Sequence, residues 1–202
     1  DKLVATYGID GINSMISSVK NHKDKLDQLL SQMGVIGDKL VIVDEKNKTV
    51  GGDIFKMENL KKFSTKFYKA MTILNNMINE NVGLSFIFSN YVKIGIELFE
   101  QVLIANGYLE YDENRSYVIK PNTIHYKTGQ TYAEWIKTNP GSDFLPATFL
   151  SVTGSSEDEN SMPDEKKKVI DSVFSSTENS DGKFIKIILG SPVMTEGCLL
   201  YT

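Results

Sequence analysis

Cysteine is nearly absent from this sequence of 202 residues, in which Cys198 stands alone. A single cysteine cannot close a disulfide within the chain or supply a cysteine metal cluster. Histidine is almost as rare, since His22 and His125 lie far apart and lack the spacing of metal ligands. These absences exclude a disulfide framework and a histidine- or cysteine-based metal site, and we expect no metal ligands in this chain.

Long apolar runs and an excess of positive charge are also missing. No run approaches the roughly 20 apolar residues of a membrane-spanning helix, and no signal peptide opens the chain. The net charge is -4, so any binding of nucleic acid would depend on a local site rather than on bulk charge. With 41% hydrophobic and 24% charged residues, the composition is that of a globular protein, and we expect no membrane partner.

Three short apolar runs predict buried strands, at residues 84–89, 147–152 and 184–189. Short runs that are apolar throughout are typical of a parallel sheet covered on both faces. Helical patterns separate or flank these runs, at residues 60–80, 92–106 and 163–174. This alternation predicts an α/β, three-layer domain in which the three strands are adjacent and parallel.

The first 59 residues predict a different arrangement. Apolar residues at helical spacing indicate a helix through residues 1–33 that ends at Gly34. Residues 39–55 then have the pattern of two short strands joined by a turn at Asn47-Lys48. We expect residues 1–59 to form a helical arm and a β-hairpin outside the parallel sheet, and residues 60–202 to form the α/β domain.

Two other segments support interpretations of their own. Residues 112–115 predict the turn of a further hairpin, between Tyr111 and the run 117–119. Val43-Asp44-Glu45 follows an apolar strand, as magnesium-binding carboxylates do in nucleotidases. That motif needs an upstream phosphate loop of the form Gly-x-x-x-x-Gly-Lys-Ser/Thr, and the sequence contains none. The hairpin is therefore the better interpretation, and no catalytic residue is assigned.

Small and polar residues follow each of the three predicted strands. They are Ser89 and Asn90, then Thr153 and Gly154, and finally the segment Gly190-Ser191-Pro-Val-Met-Thr195-Glu196-Gly197. Because the carboxyl ends of parallel strands meet at one edge of a sheet, these residues should lie together, at the edge where ligands bind in open α/β sheets. Backbone N–H groups and short hydroxyls at that edge can bind phosphates without many basic residues.

In their order along the chain, these segments resemble motifs of the second RecA-like domain of superfamily two helicases and translocases. Phe86-Ile-Phe-Ser89-Asn-Tyr, with the helix that ends at Asn106-Gly-Tyr108, is similar to motif four. Leu150-Ser-Val-Thr153-Gly154 is similar to the strand that follows, and the segment from Ile188 to Gly197 is similar to motif five. The resemblance covers about residues 60–199.

The residues of these motifs most resemble those of the helicase-like ATPases and early transcription factor subunits of large nucleocytoplasmic DNA viruses. In those proteins a segment similar to Phe63-Ser-Thr-Lys66-Phe opens the second domain. The resemblance implies a RecA-like fold and a fragment of an ATP-dependent nucleic-acid helicase or translocase, of viral type and linked to transcription. The location that it implies is intracellular, in the host cytoplasm or the virion.

The resemblance also implies roles for the residues at the strand ends. Those implied to contact a nucleic-acid backbone, of DNA rather than RNA, are Ser89, Asn90, Thr153, Gly154, Ser191 and Thr195. Glu196 and Gly197 are implied to face the ATP cleft. The implied partners of the whole protein are nucleic acid, the first RecA-like domain of the same chain and the viral transcription machinery, and its implied cofactors are ATP and Mg²⁺.

Two parts of the helicase machinery are missing from the 202 residues. One is the first domain, with its phosphate loop and Asp-Glu box, and the other is motif six, with its glutamine and arginine finger. ATP hydrolysis needs charge stabilisation from both, so we expect this fragment alone to be inactive and to bind no cofactor. The alternative is a non-catalytic interaction or scaffold domain with a degenerate helicase fold. A small-molecule enzyme is disfavoured because no histidine lies near an activated serine or cysteine.

Overall fold

The computed structural model describes residues 8–46, 49–80, 83–154 and 161–194. Its helices are α1 Gly8–Gln32, α2 Met57–Phe63, α3 Thr65–Asn79, α4 Leu98–Ala105, α5 Tyr132–Thr138 and α6 Asp164–Val169. Its strands are β1 Ile42–Asp44, β2 Thr49–Gly51, β3 Ser85–Phe88, β4 Leu109–Glu110, β5 Thr148–Val152 and β6 Ile187–Gly190. Wider π-helical turns precede α4, at Val92–Glu97, and follow α6, at Ile170–Phe174.

Four strands form a parallel sheet in the order β3–β6–β5–β4. Phe88 of β3 pairs with Gly190 of β6, and Gly190 pairs in turn with Val152 of β5. The three strands therefore end in register at their carboxyl ends. The predicted α/β fold class is confirmed, as is the prediction of three adjacent, parallel strands.

Helices cover β5 and β6 on both faces and make the sheet the middle of three layers. The prediction that the run 84–89 is buried is wrong for one face, because β3 lies at the edge of the sheet and its Phe86 and Phe88 are exposed. Ile187 of β6 faces the core that the sheet forms with α3 and α4, and Ile188 faces the core that it forms with α6. Phe149 and Leu150 of β5 divide between the two cores in the same way. Successive residues of a strand point to opposite faces, so a strand that is buried on both faces must be apolar throughout.

The N-terminal helix and hairpin lie outside the parallel sheet, as predicted. β1 pairs antiparallel with β2 in a separate two-stranded sheet. The hairpin and the end of α1 share a small apolar core, made of Leu30, Val35, Leu40, Val41 and Val50. Residues 1–7 of the predicted helix and the predicted turn at Asn47-Lys48 are outside the described residues.

Two asparagine side chains connect this N-terminal region to the helical layer. The Asn59 amide nitrogen donates to the carbonyls of Ile36 and Asp53, each at 2.8 Å. Asn106, at the end of α4, donates to the Phe55 carbonyl at 2.9 Å and accepts from the Met57 N–H at 2.8 Å. The proposed boundary between residues 59 and 60 falls inside α2, so residues on both sides of it belong to one helix.

The hairpin predicted around residues 112–115 is wrong. Its turn is present, since the Arg115 N–H donates to the Asp112 carbonyl at 2.9 Å, but residues 117–119 form no strand. The segment before the turn instead forms β4, which pairs in parallel with the start of β5. Gly107, with φ of 91°, permits this pairing because it turns the chain sharply from α4 onto the edge of the sheet.

An aromatic cluster anchors the long segment between β4 and β5. The His125 ring is buried and stacks on Trp135, with 4.2 Å between ring centroids and 19° between ring planes. The Thr128 N–H donates to Nδ1 of His125 at 3.3 Å, so this nitrogen acts as an acceptor. Burial lowers the pKa of His125, and the nearby Lys127 ammonium lowers it further. The folded protein therefore favours the neutral ring.

Acidification is expected to destabilise the fold through His125. The unfolded chain binds this proton more tightly, so the contribution is complete above a pH of about 6.5 and is lost as pH falls below that value. The free energy of unfolding should be lower at about pH 5.5 than at pH 7.5, by at most about 1.4 kcal/mol from this group. Urea unfolding at the two pH values measures the difference. His125→Gln should reduce the pH dependence, and an unchanged pH dependence in this variant would contradict the assignment.

Within the described residues, every helix is too short or too polar to cross a bilayer.

Candidate nucleic-acid interface

The predicted site residues that the structure describes meet at the carboxyl edge of the parallel sheet. The Ser89 N–H donates to the Gly190 carbonyl at 3.0 Å, and the Ser191 N–H donates to the Val152 carbonyl at 3.1 Å. The sheet hydrogen bonding thus continues one residue beyond β3 and β6. It places Ser89 beside the end of β6, and Ser191 beside the residue that precedes Thr153. Thr195, Glu196 and Gly197 are outside the described residues.

Ser89 uses its hydroxyl to form a tight turn after β3. Its Oγ accepts from the Tyr91 N–H and donates to the Tyr91 carbonyl, both at 3.1 Å. The turn presents the next side chain, Asn90, to solvent, while Thr153 and Gly154 on the neighbouring loop are partly exposed. The residues of this edge that a ligand can reach are therefore Asn90, Thr153 and Gly154, with Ser89 shaping the loop that carries Asn90.

Ser191 lies deeper in the edge than the other predicted residues. Its relative exposure is 0%, and its Oγ has no hydrogen-bond partner among the described residues. A buried hydroxyl without a partner carries a desolvation cost of roughly 1–3 kcal/mol, and such groups in native structures call for a specific explanation. The Ser191 N–H already donates to the Val152 carbonyl, so the hydroxyl is the polar group of Ser191 that could still form a hydrogen bond.

Gly95 is a feature of the site that the sequence reasoning missed. A Cβ atom added at Gly95 would lie 2.2 Å from the Ser89 Oγ, which is far inside the contact distance. The glycine allows the π-helical turn Val92–Glu97 to pack directly on the turn that carries Asn90. Turns of this width are frequent at functional sites. The one sequence signal for this contact is that a glycine, Gly95, stands in the first turns of the helix predicted at residues 92–106.

The described part of this edge has little net charge. Lys93 forms an ion pair with Glu97 one helical turn further on. On the helical layer behind β5, burial raises the pKa of Glu100, and the carboxylates of Glu110 and Glu97 act in the same direction. Glu100 therefore takes up a proton at a higher pH than an exposed glutamate. This arrangement suits neutral hydroxyl, amide and N–H contacts more than a dense row of cations.

No group of three or more His, Cys, Asp or Glu side chains is placed to hold a metal ion in residues 8–46, 49–80, 83–154 and 161–194. Asp44 belongs to the alternative magnesium interpretation. Its carboxylate accepts from the Lys46 N–H at 2.9 Å, in the turn that follows β1. The hairpin interpretation of this segment therefore agrees with the observed structure.

Comparison with known proteins gives one informative match. No protein-family model and no solved structure matches the chain. The chain is 37% identical, over 207 aligned residues, to a protein of Acanthamoeba polyphaga mimivirus that is provisionally named an ATP-dependent RNA helicase, L377. The alignment covers 96% of this chain and 18% of the mimivirus protein. The chain thus spans less than a fifth of that relative's length, and the similarity supports its resemblance to helicase-like proteins.

Proposed function

We propose that this chain is the second RecA-like domain of an ATP-dependent helicase or translocase of viral type, as part of a longer protein. In this role the carboxyl edge of β3, β6 and β5 contacts the backbone of a nucleic acid. The observation that carries the proposal is the convergence of Ser89, Thr153 and Ser191 on that edge. Their adjacency follows from the strand order and register, and it brings together three segments that span about 100 residues of the sequence.

The chemistry of the edge suits contacts with phosphate and sugar. Asn90 and Thr153 provide an amide and a hydroxyl, and Gly154 has no side chain to block close approach of a phosphate group. Groups of this kind bind the backbone without reading bases. We therefore propose that affinity is insensitive to base sequence, and that Thr195 adds a further hydroxyl.

The similarity to the mimivirus protein supports two further parts of this proposal. Because it covers 96% of the chain, it includes most of residues 1–59 as well as the α/β domain. We propose that these residues are an arm and hairpin that accompany the domain, with the functional boundary near residue 60. The much greater length of the relative supports the proposal that a first RecA-like domain and a motif six lie elsewhere in the parent protein.

ATP and Mg²⁺ are proposed as cofactors of the parent protein. The described side chains offer no cluster of metal ligands, so Mg²⁺ would be held mainly by the first domain. Glu196 and Gly197 are proposed to face the cleft between the domains, where the bound nucleotide supplies the phosphoryl group that is transferred. This chain would then complete the cleft from one side and couple it to the nucleic-acid edge.

The kind of nucleic acid is a separate part of the proposal. The resemblance to DNA-virus ATPases predicts DNA, whereas the mimivirus relative is named as an RNA helicase. Contacts to a backbone through neutral groups do not decide between them. A link to viral transcription, in the host cytoplasm or the virion, remains part of the same proposal, and RNA has the more direct support.

ATPase activity in the parent protein tests this function. The parent should hydrolyse ATP faster when single-stranded RNA or DNA is added, while the isolated chain should show no turnover above buffer. The reason is that the phosphate loop and an arginine finger would be missing from the chain, and an arginine finger alone is worth roughly 10³–10⁵ in rate. Phosphate release, measured with each nucleic acid separately, also decides which one is preferred. A folded parent protein without any nucleic-acid-stimulated ATPase would contradict the motor and favour the scaffold alternative.

A further inference from the structure

A second candidate site lies at the opposite edge of the sheet. A pocket of about 420 Å³ opens near the amino ends of β5 and β6, on the side of β4. Strands of four or five residues separate this edge from the carboxyl edge by roughly 13–17 Å. The pocket therefore shares no residue with the proposed nucleic-acid interface, and what it binds is a separate question.

The pocket combines aromatic rings with cations. Among its lining residues are Tyr111, Tyr117 and Phe184, together with Arg115 and Lys183. The Arg115 guanidinium carbon lies 4.0 Å from the centre of the Phe184 ring, and the Lys183 ammonium lies 5.4 Å from the same centre. Both cations thus lie close to one aromatic ring, and the attraction between a cation and a ring is worth roughly 0.5–1 kcal/mol at an exposed site.

Within the described residues neither Arg115 nor Lys183 forms an ion pair at 4.0 Å or less. One acidic side chain, Asp143, lines the same pocket. The lining therefore carries two cations and one carboxylate, and the Asp112 and Glu113 carboxylates lie close to Tyr111. An anion in the pocket would contact the two cations.

Arg115 is held in its position by an unusual backbone conformation. Its φ of 54° is the only positive φ of a non-glycine residue in the described part of the chain. The Asp112 carboxylate fixes this turn by accepting from the N–H groups of Asn114 and Ser116, at 3.0 and 3.2 Å. An arginine in this region is strained, and strain of this kind is concentrated at functional sites.

Two tyrosines complete the pocket as neutral hydrogen-bonding groups. Burial raises the pKa of Tyr111 and of Tyr117. Both phenols are therefore protonated at neutral pH, and their rings supply flat apolar surface beside the two cations. Flat rings and guanidinium planes bind nucleobases by stacking, while arginine and lysine bind phosphate.

We propose that this pocket binds a nucleotide unit, with its base among the aromatic rings and its phosphate on Arg115 and Lys183. The unit could belong to a free nucleotide or to a single strand, since both present the same base and phosphate. This binding goes beyond the proposed carboxyl-edge function and would hold whether or not that function is correct. If the unit belongs to a strand, the pocket gives the chain a second point of contact.

A titration of the ¹⁵N-labelled chain tests the proposal directly. The probes are adenosine monophosphate and a ten-nucleotide adenosine RNA, added separately. We expect shifts in the amide signals of residues 111–117 and 183–184 with at least one probe. Response to both probes identifies a site for free nucleotides, and response to the RNA alone identifies a strand site; either result supports the proposal. The absence of shifts at these amides with both probes would overturn it.

Charge-neutralising variants distinguish the pocket from general electrostatic attraction. Arg115→Gln with Lys183→Gln should weaken binding at least tenfold, and Lys183→Gln alone, at an exposed position, should weaken it about threefold without affecting the fold. The matched control is Lys167→Gln with Lys168→Gln, which removes the same charge from exposed positions on α6. An equal loss of binding in the control and the pocket variants would contradict a defined site. Signals of Asn90 and Gly154 report the carboxyl edge independently in the same spectra, so failure at one edge is distinguishable from failure at the other.

Discussion

Replacing Asn179 with alanine is expected to lower the free energy of unfolding by about 3–5 kcal/mol. The side chain is completely buried just before β6. Its Oδ1 accepts from the N–H groups of Phe184 and Ile185, at 2.8 and 2.9 Å. Its Nδ2 donates to the carbonyls of Phe174 and Ile185, at 3.2 and 3.0 Å. Alanine would leave all four backbone groups without this partner, and unpaired buried groups cost roughly 1–3 kcal/mol each before relaxation.

The position of Asn179 explains why this loss should reach the proposed interface. It links the end of the π-helical turn after α6 to the entrance of β6, the strand between β3 and β5. Urea unfolding of Asn179→Ala and of the control Asn122→Ala, at an exposed position, measures the effect. The control should stay within about 0.5 kcal/mol of the unmodified chain. A loss below about 1 kcal/mol in Asn179→Ala would show that this network does not hold the strand in place.

The second large effect is expected at the carboxyl edge itself. Asn90→Ala combined with Thr153→Ala should raise the nucleic-acid concentration for half-maximal ATPase of the parent protein about ten- to a hundredfold. Each side chain is accessible on its loop. A hydrogen bond to a charged phosphate contributes roughly 1.5–3 kcal/mol, and tenfold in affinity corresponds to about 1.4 kcal/mol, so the loss of one such bond already accounts for the expected shift. The fold should be unaffected because no described interaction of the core depends on either side chain.

The sequence is a good guide to the centre of the sheet because its signal there is strong. β5 and β6 come from short apolar runs, and their burial on both faces leaves little choice of residue. β3 also comes from an apolar run, but it is an edge strand, so the hydrophobic pattern gives its position and not its burial. The start of β6 was predicted at Phe184 but lies at Ile187. The N–H groups of Phe184 and Ile185 bond to the Asn179 side chain instead of the neighbouring strand. A hydrophobic pattern does not reveal that a side chain takes the place of a neighbouring strand as hydrogen-bond partner.

β4 could not be predicted for a different reason. It has two residues, one half-buried and one exposed, which is too short for any periodicity. Its place beside β5 depends on Gly107, where an added Cβ would lie 2.1 Å from the carbonyl oxygen of Asn122. Such a contact joins residues far apart in sequence, and only the folded chain reveals it. The same holds for the pocket around Arg115, whose residues come from three separate segments.

The sequence predicts which residues of the candidate site lie close together, but not which of them are exposed to a ligand. Parallel strands bring their ends together, so the proximity of Ser89, Thr153 and Ser191 follows from the strand order. Exposure within that neighbourhood depends on packing. Ser191 is buried, and the Ser89 hydroxyl forms hydrogen bonds with the Tyr91 backbone. Asn90 is exposed to solvent. These differences decide which side chains a ligand can touch, and they arise from contacts that the sequence pattern does not encode.

The most direct test of the central claim is the ATPase rate of the parent protein as a function of single-stranded RNA concentration. It should be measured for the unmodified protein, for Asn90→Ala with Thr153→Ala, and for a control with Asn122→Ala and Thr177→Ala at exposed positions elsewhere. We expect half-saturation to shift about ten- to a hundredfold in the edge variant alone, with its maximum rate retained. An edge variant that is folded and shows the same half-saturation and the same maximum rate as the control would contradict the proposal that this edge binds nucleic acid.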